Sequence, residues 1–296
     1  MSKLKAALDA GRRVVTCELS PPKGTNLGAL TAKAEALKDA VDAFNLTDSA
    51  AARMTMDPTA AGHQLLRLGI EPIVQVTSRD KNRLALQSGM LGAAALGIPN
   101  LVIMGGDPPR IGDHPEAKGV NDLFSSEIIA AANALNHGAD HAGNALDGAT
   151  DFHLGSVCNP GAADLDAEVD NTRRKIDAGA RFLQTQAIYQ ADHLRRFLDR
   201  LQRPDIAILA GIIPIKSVKM ATYMNDRVPG IDIPDALIAR IAQAESKPEQ
   251  DGVVAESLSI AARTIADLRE HCHGIHIMAI GWEKHVAELL ERADCR

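Results

Sequence analysis

The sequence predicts an α/β protein built as a closed parallel (β/α)8 barrel, with extra helices before the eighth strand. Short β-branched runs alternate with longer stretches of helical periodicity along the 296 residues. Hydrophobic residues make up 46% of the chain but aromatic residues only 3%, so Ala, Val, Ile and Leu must form the core. Such a core suits strands enclosed by helices.

Eight runs have the length and composition of strands. They cover residues 13–19, 41–47, 71–77, 100–104, 152–157, 181–186, 206–212 and 274–279. Helical patterns cover residues 27–40, 58–68, 82–96, 122–135, 165–178, 191–201, 217–225, 234–244, 253–271 and 283–290. An open doubly wound sheet would show the same alternation, but no strand is followed by the GxGxxG turn of a dinucleotide-binding sheet. We therefore predict a single TIM-type barrel domain over residues 1–296.

Charge and cysteine placement argue against several classes of protein. The formal net charge of −6 gives no general attraction to nucleic acid or to an anionic membrane. No apolar run approaches the roughly 18 residues of a membrane span, and residues 1–10 lack the apolar centre of a secretory signal. We expect a cytoplasmic protein. The cysteines show no metal or disulfide spacing, so we expect free thiols and no metal site. They are Cys17, Cys158, Cys272 and Cys295.

Polar side chains at the carboxyl ends of the strands are the candidates for an active site, because barrel enzymes build their sites there. Glu18 is the sharpest candidate, since a carboxyl held against apolar walls has the raised pKa that a general acid needs. A strand-end glutamate paired with Lys or Arg is an equal alternative. The other candidates are Thr47, Asp48, Gln75, Thr77, Gly105, Gly106, Asp107, Ser156, Asn159, Thr185, Gln186, Lys216, Ser217 and Trp282.

The loop after the fourth predicted strand combines two glycines with a carboxylate. Gly105 and Gly106 let the backbone approach a ligand closely, and Asp107 adds a fixed negative charge. Taken alone, the loop is more often a turn in which the aspartate only binds nearby backbone amides.

Two further groups of polar residues have both a ligand-binding and a structural interpretation. Asn171, Arg174 and Lys175 share one face of the predicted helix 165–178, which suits a phosphate-bearing ligand. A solvated helix surface is the commoner arrangement for such a face. Gln186 ends the sixth predicted strand, where its amide either binds a ligand or satisfies a neighbour.

Ordered motifs over about residues 13–283 resemble the methylenetetrahydrofolate reductases. They are Cys-Glu-Leu-Ser-Pro-Pro at 17–22, Gln-Val-Thr-Ser-Arg-Asp-Lys-Asn-Arg at 75–83, Gly-Asp-Pro-Pro at 106–109, Arg-Lys-Ile-Asp-Ala-Gly-Ala at 174–180, Thr-Gln at 185–186 and Gly-Ile-Ile-Pro-Ile at 211–215. Several ordered matches at barrel-consistent spacing are more specific than any one of them.

The resemblance implies a flavin-dependent reductase of one-carbon metabolism and methionine biosynthesis. Hydride would pass from NADH or NADPH to FAD and then to 5,10-methylenetetrahydrofolate, which becomes 5-methyltetrahydrofolate. The resemblance makes Glu18 the general acid, Asp107 the charge that stabilises the folate iminium and tunes the flavin, and Gln186 a folate ligand. Residues at the family's FAD contacts are Thr47, Asp48, Gln75, Gly105, Gly106, Asp107, Asn159, Glu168, Asn171, Arg174 and Lys175.

The chain also departs from the family pattern. Gln75 replaces a common histidine, Gly105 an arginine and Asn159 a tyrosine. Met220 and Met224 stand where a glutamine and a phenylalanine are usual, and Trp282 replaces an arginine. The main alternative is therefore a reductase without FAD that transfers hydride directly from the nicotinamide to folate. A folate- or flavin-binding partner subunit and a Schiff-base aldolase using Lys216 are two less favoured hypotheses. A homo-oligomer is compatible with all of these.

Overall fold

The computed structural model describes residues 2–246 and 252–295, and its strands form a closed parallel barrel. Each strand pairs with the next along the chain, and β8 pairs with β1 to close the ring. The strands are β1 Val14–Leu19, β2 Ala43–Leu46, β3 Pro72–Thr77, β4 Asn100–Met104, β5 His153–Cys158, β6 Phe182–Ala187, β7 Ala207–Ile212 and β8 Gly274–Ile277. The barrel predicted from the alternation is thus confirmed, and the open sheet is excluded.

The helices pack outside this ring. In chain order they are α1 Lys3–Asp9, α2 Gly28–Leu37, α3 Pro58–Arg67, α4 Arg83–Ala95, α5 Ser125–Asn136, α6 Leu165–Ala178, α7 Ala191–Leu201, α8 Val218–Arg227, α9 Asp235–Glu245, α10 Gly252–Leu268 and α11 Val286–Arg292. Three of them, α8 to α10, lie between β7 and β8, so the prediction of extra helices before the eighth strand is confirmed. Residues 1, 247–251 and 296 of the predicted domain lie outside the described residues.

Helix α1 was not predicted, and it closes the amino-terminal end of the barrel. Leu4 is fully buried there against the bottom layer of the barrel. The Glu71 carboxylate accepts the backbone N–H groups of Lys3 and Leu4 at 2.8 and 2.9 Å, which satisfies donors at the start of the helix. A seven-residue helix shows little periodicity in sequence, and its anchoring residue lies far along the chain.

The barrel interior changes from apolar to polar along the strands. Its lower layer consists of Val14, Ala43, Ile73, Val102, Phe182 and Leu209. Phe182 fits because its neighbour on β5 is Gly155, where a Cβ would lie 2.3 Å from the phenyl ring. Above this floor is a polar layer, all of it buried, made of Thr16, Asn45, Gln184 and His276. Because every second side chain of a strand points into the barrel, the inward-facing residues above this polar layer lie at the carboxyl ends of the strands.

Candidate active site

An open cavity of about 550 Å³ lies at the carboxyl ends of the strands. This volume is within the range of roughly 300–1,000 Å³ that is usual for small-molecule sites. Many of the predicted site residues line it, from loops that are far apart in sequence. These are Glu18, Asp48, Gln75, Gly105, Gly106, Asp107, Asn159, Glu168, Lys175 and Gln186.

Of the residues predicted from the family's FAD contacts, three do not line this cavity. Thr47 is buried and donates to the Ser20 hydroxyl at 3.2 Å. Asn171 donates to Glu168 at 3.4 Å, so it supports a residue of the cavity wall. Arg174 is exposed on the outside of α6, about 100° around the helix from Lys175. The two cations therefore do not share a face, and only Lys175 is turned into the barrel top.

Glu18 ends β1 and is a carboxyl of strongly raised pKa. Burial raises its pKa from 4.5 to about 7, while a hydrogen bond from Gln75 Nε2 at 3.4 Å acts in the opposite direction. No lysine or arginine among the described residues contributes to this shift, so the pairing with a cation considered from sequence does not occur. Glu18 can hold a proton at neutral pH and release it to a ligand.

Gln75 links Glu18 to the end of β2. The Asp48 backbone N–H donates to Gln75 Oε1 at 3.4 Å, so the amide presents its nitrogen to Glu18. Asp48 in turn accepts the backbone N–H and the hydroxyl of Thr77 at 3.1 and 2.9 Å. The side chains over β1, β2 and β3 thus form one hydrogen-bonded network, which fixes their orientation towards the cavity.

The loop after β4 passes close to β3 because of its second glycine. Gly106 has a φ of +85°, and a Cβ there would lie 3.1 Å from Thr77 Cβ. Gly105, in contrast, faces open space, with nothing within 4 Å of an added Cβ. The Asp107 carboxylate accepts the Ala51 backbone N–H at 2.9 Å while it lines the cavity. The turn interpretation and the site interpretation of Asp107 are therefore compatible.

Arg79 holds these loops together, and no role was predicted for it. Its buried guanidinium donates to the carbonyls of Ser49 and Asp107, both at 3.3 Å, and pairs with Asp80. Ser49 and Ala51 have left-handed φ angles of 51° and 53°, which cost free energy in residues other than glycine. A single guanidinium nitrogen, Nη1, thus donates to both carbonyls and stabilises this strained segment. The motif at 75–83 contained Arg79, but only the three-dimensional contacts reveal its partners.

The opposite wall comes from β5 and α6. The Glu168 carboxylate accepts the Asn159 backbone N–H at 3.0 Å, and Asn159 Nδ2 donates to the Pro229 carbonyl at 3.1 Å. Asn159 Oδ1 is buried and has no partner among the described residues. Lys175 donates to the Val157 carbonyl at 2.7 Å, and burial lowers its pKa. An ammonium has three donors, so Lys175 can also bind an anion in the cavity.

Two further candidates from sequence, Lys216 and Ser217, have structural roles. Lys216 does not line the cavity; it donates to the Ile280 carbonyl and lies 5.6 Å from the Trp282 ring centroid. Ser217 caps α8 by accepting the Met220 backbone N–H at 3.0 Å. The amine of Lys216, the candidate for a Schiff base, therefore lies outside the cavity.

Metal clusters and membrane-crossing helices are both absent from the part of the chain that the structure describes. Residues 2–246 and 252–295 contain no group of three or more metal-binding side chains. Over the same residues, no helix is long and apolar enough to cross a membrane.

A closed parallel barrel with a protonatable carboxyl in a polar strand-end cavity defines a (β/α)8-barrel protein of the kind that converts small molecules there. The chain belongs to the methylenetetrahydrofolate reductase family, a family of oxidoreductases, which matches residues 3–294. The resemblance that the motifs suggested is thereby confirmed.

Individual relatives are distant. Methylenetetrahydrofolate reductase 2 of Schizosaccharomyces pombe is 22% identical over 242 residues, which is 76% of this chain and 36% of that protein. The 5,10-methylenetetrahydrofolate reductase of Pectobacterium carotovorum is 27% identical over 173 residues, 55% of this chain and 51% of its own length. The matches thus span about half or less of these curated relatives.

Among solved structures, the barrel resembles a Clostridium thermocellum protein that binds two copies of 5-methyl-5,6,7,8-tetrahydrofolic acid. The TM-score is 0.68 at 18% identity, and the match covers 100% of this chain and 99% of that one. At this identity the likeness establishes the fold.

Proposed function

We propose that this chain reduces 5,10-methylenetetrahydrofolate to 5-methyltetrahydrofolate, using FAD and a nicotinamide donor. The observation that carries the proposal is Glu18, a carboxyl with a pKa of about 7 in a cavity that belongs to a reductase family. The named relatives and the folate-binding Clostridium protein support the choice of folate as substrate.

In this proposal Glu18 supplies the proton that opens the folate's five-membered ring. Protonation at N10 breaks the bond between N10 and the methylene carbon, which leaves an iminium at N5. Hydride addition to that carbon then forms the methyl group, so NAD(P)H and one proton are consumed for each folate. Asp107, which lines the cavity, stabilises the positive charge of the iminium, and Gln186 binds the folate.

The residues present fit a flavin. Gly105 leaves free space above the strand ends, because nothing lies within 4 Å of an added Cβ there. The Lys175 ammonium uses one of its three donors on the Val157 carbonyl, which leaves it suited to a phosphate on the same wall. FAD bound there would supply the hydride-transfer chemistry between nicotinamide and folate. Asp48, Gln75, Gly106 and Glu168 would complete its surroundings.

A reductase that does without FAD is the second candidate, and two observations favour it. Arg174 is exposed outside the cavity, so only one of the two predicted phosphate cations is available. Among the described lining residues there is no Phe, Tyr or Trp to stack on a flat ring. In that case the nicotinamide would lie against the folate and transfer hydride directly.

One set of measurements separates these candidates. The absorption spectrum of the purified protein, with analysis of the released cofactor, reports on FAD. NADH or NADPH oxidation is then followed with 5,10-methylenetetrahydrofolate, before and after addition of FAD. Activity with FAD supports the proposal, and activity without any flavin supports the second candidate. Folate binding without turnover under either condition would indicate a binding subunit and refute both.

A further inference from the structure

The polar layer beneath Glu18 forms a hydrogen-bonded chain that the proposed reaction does not use. Asn45 Nδ2 donates to Gln184 Oε1 at 2.7 Å, and Gln184 Nε2 donates to Asn45 Oδ1 at 2.9 Å. The two amides therefore bind each other reciprocally, and each uses one N–H in the pair. The second N–H of Gln184 remains, and the Thr16 hydroxyl lies 3.5 Å from its nitrogen.

Thr16 connects these amides to His276. The Thr16 hydroxyl lies 2.9 Å from His276 Nδ1 and 3.5 Å from the Ile275 carbonyl. It has a single proton, and the shorter distance favours donation to the ring nitrogen. The Thr16 hydroxyl can accept a hydrogen bond from Gln184 with its oxygen and donate its proton to His276 at the same time. His276 Nδ1 is then an acceptor.

This arrangement determines the tautomer of His276. A neutral imidazole whose Nδ1 accepts carries its proton on Nε2. Burial lowers the pKa of His276 to about 3, so the ring is neutral at physiological pH. Nε2 of His276 has no hydrogen-bond partner among residues 2–246 and 252–295. It is nevertheless not among their buried polar atoms that lack a partner, a group that includes both ring nitrogens of His153. The ring lines the cavity, which accounts for both facts.

We propose that His276 binds the pterin ring of the folate as a neutral hydrogen-bond donor through Nε2, with Thr16 as the positioning residue that fixes the tautomer. The inference rests on the proposed function. Thr16 and His276 are register partners on β1 and β8, and Glu18 lies two residues beyond Thr16 on the same inward face. The ligand that Glu18 protonates is therefore the ligand nearest to His276. The carbonyl oxygen and ring nitrogens of a pterin are suitable acceptors.

The tautomer is tested directly by nitrogen NMR of the 15N-histidine-labelled protein. We expect one neutral imidazole with its proton on Nε2, assigned by the loss of its signals in His276→Gln. Thr16→Val removes the hydroxyl at nearly constant shape and should give a mixture of tautomers, whereas Thr16→Ser should keep the Nε2–H form. A wild-type ring protonated on Nδ1, or a tautomer indifferent to Thr16→Val, would overturn the proposal.

The ligand contact is tested by binding of 5-methyltetrahydrofolate. His276→Leu should weaken binding roughly 3- to 10-fold, the range of one neutral hydrogen bond. His276→Gln should restore most of the affinity, because its amide nitrogen takes the place of Nε2. Melting temperatures verify that each variant is folded, and cofactor content should be unchanged in both.

The possible failures are distinct. If wild-type protein binds no folate, the proposed function is wrong and the donor role falls with it, whatever the NMR result. If wild-type binds folate but His276→Leu binds equally well, the donor role alone is wrong. Equal losses in the Leu and Gln variants would reduce His276 to a packing residue.

Discussion

Replacing Glu18 by Gln tests the proton donor on which the proposed reaction depends. The amide keeps the size and polarity of the side chain and can still contact Gln75, but it has no proton to transfer. We expect reduction of the bound flavin by NAD(P)H to continue nearly unchanged. Reduction of 5,10-methylenetetrahydrofolate should fall by at least about 100-fold, the lower end of what a positioned general acid contributes.

The pKa of Glu18 determines both how much acid is available for the reaction and how the residue affects stability. With a pKa of about 7, half of the carboxyl is protonated at pH 7; with its ordinary value of 4.5, only about 0.3% would be, a difference of roughly 150-fold in available acid. The raised pKa also lowers stability. Below pH 4.5 the shifted pKa does not change the free energy of unfolding. Between pH 4.5 and pH 7 it lowers the free energy of unfolding by about 3 kcal/mol. Glu18→Gln should therefore be more stable than wild type at pH 8, with the difference disappearing towards pH 4.5.

The assay separates the two half-reactions in single turnovers, with urea denaturation at pH 5 and pH 8 run alongside. Glu270→Gln is a matched control, because the Glu270 side chain is 80% exposed and pairs with Arg13 on the surface. If both half-reactions fall equally in Glu18→Gln, the residue is structural. If Glu18→Gln and wild type differ in stability by the same amount at pH 5 and at pH 8, the pKa of Glu18 is not raised.

Other parts of the site lead to further expectations. Gln75→Leu removes the hydrogen bond that favours ionised Glu18, so the alkaline limb of the rate profile should move to higher pH; a fixed limb would contradict this link. Lys175→Met should reduce FAD retention after dialysis while Arg174→Ala leaves it unchanged, and equal retention in both would return Lys175 to a purely structural role. Asp107→Asn keeps an acceptor for the loop amide but loses the charge, so it should raise the flavin reduction potential and slow folate reduction. If redox titration and single-turnover rates are both unaltered, Asp107 does not act on the chemistry.

The barrel was predictable because its strands and helices differ in periodicity, and periodicity is a local property of sequence. Helix α1 was not, since its anchor Glu71 is distant in sequence and seven residues show little pattern. The strand-end rule found Glu18, Gln75 and Asp107, because a polar residue ending an apolar strand is visible in the sequence.

The rest of the site depended on geometry that the sequence does not contain. The rotation of α6 against the barrel decides that Lys175 is buried and Arg174 exposed, and spacing along the helix cannot reveal it. The roles of Arg79 and His276 likewise depend on the register between strands and on where loops return. Alternation along β1 and β8 assigns inward faces, but not which inward residues meet.

The fit of Phe182 against Gly155 constrains how this barrel can diverge during evolution. Any side chain at position 155 requires a smaller one at position 182, because a Cβ there would lie 2.3 Å from the ring. The reverse exchange, a smaller residue at 182 alone, would leave a cavity in the lowest layer. Each single step is therefore unfavourable although the exchanged pair is not. A mutational scan of single substitutions in this chain should therefore report positions 155 and 182 as intolerant.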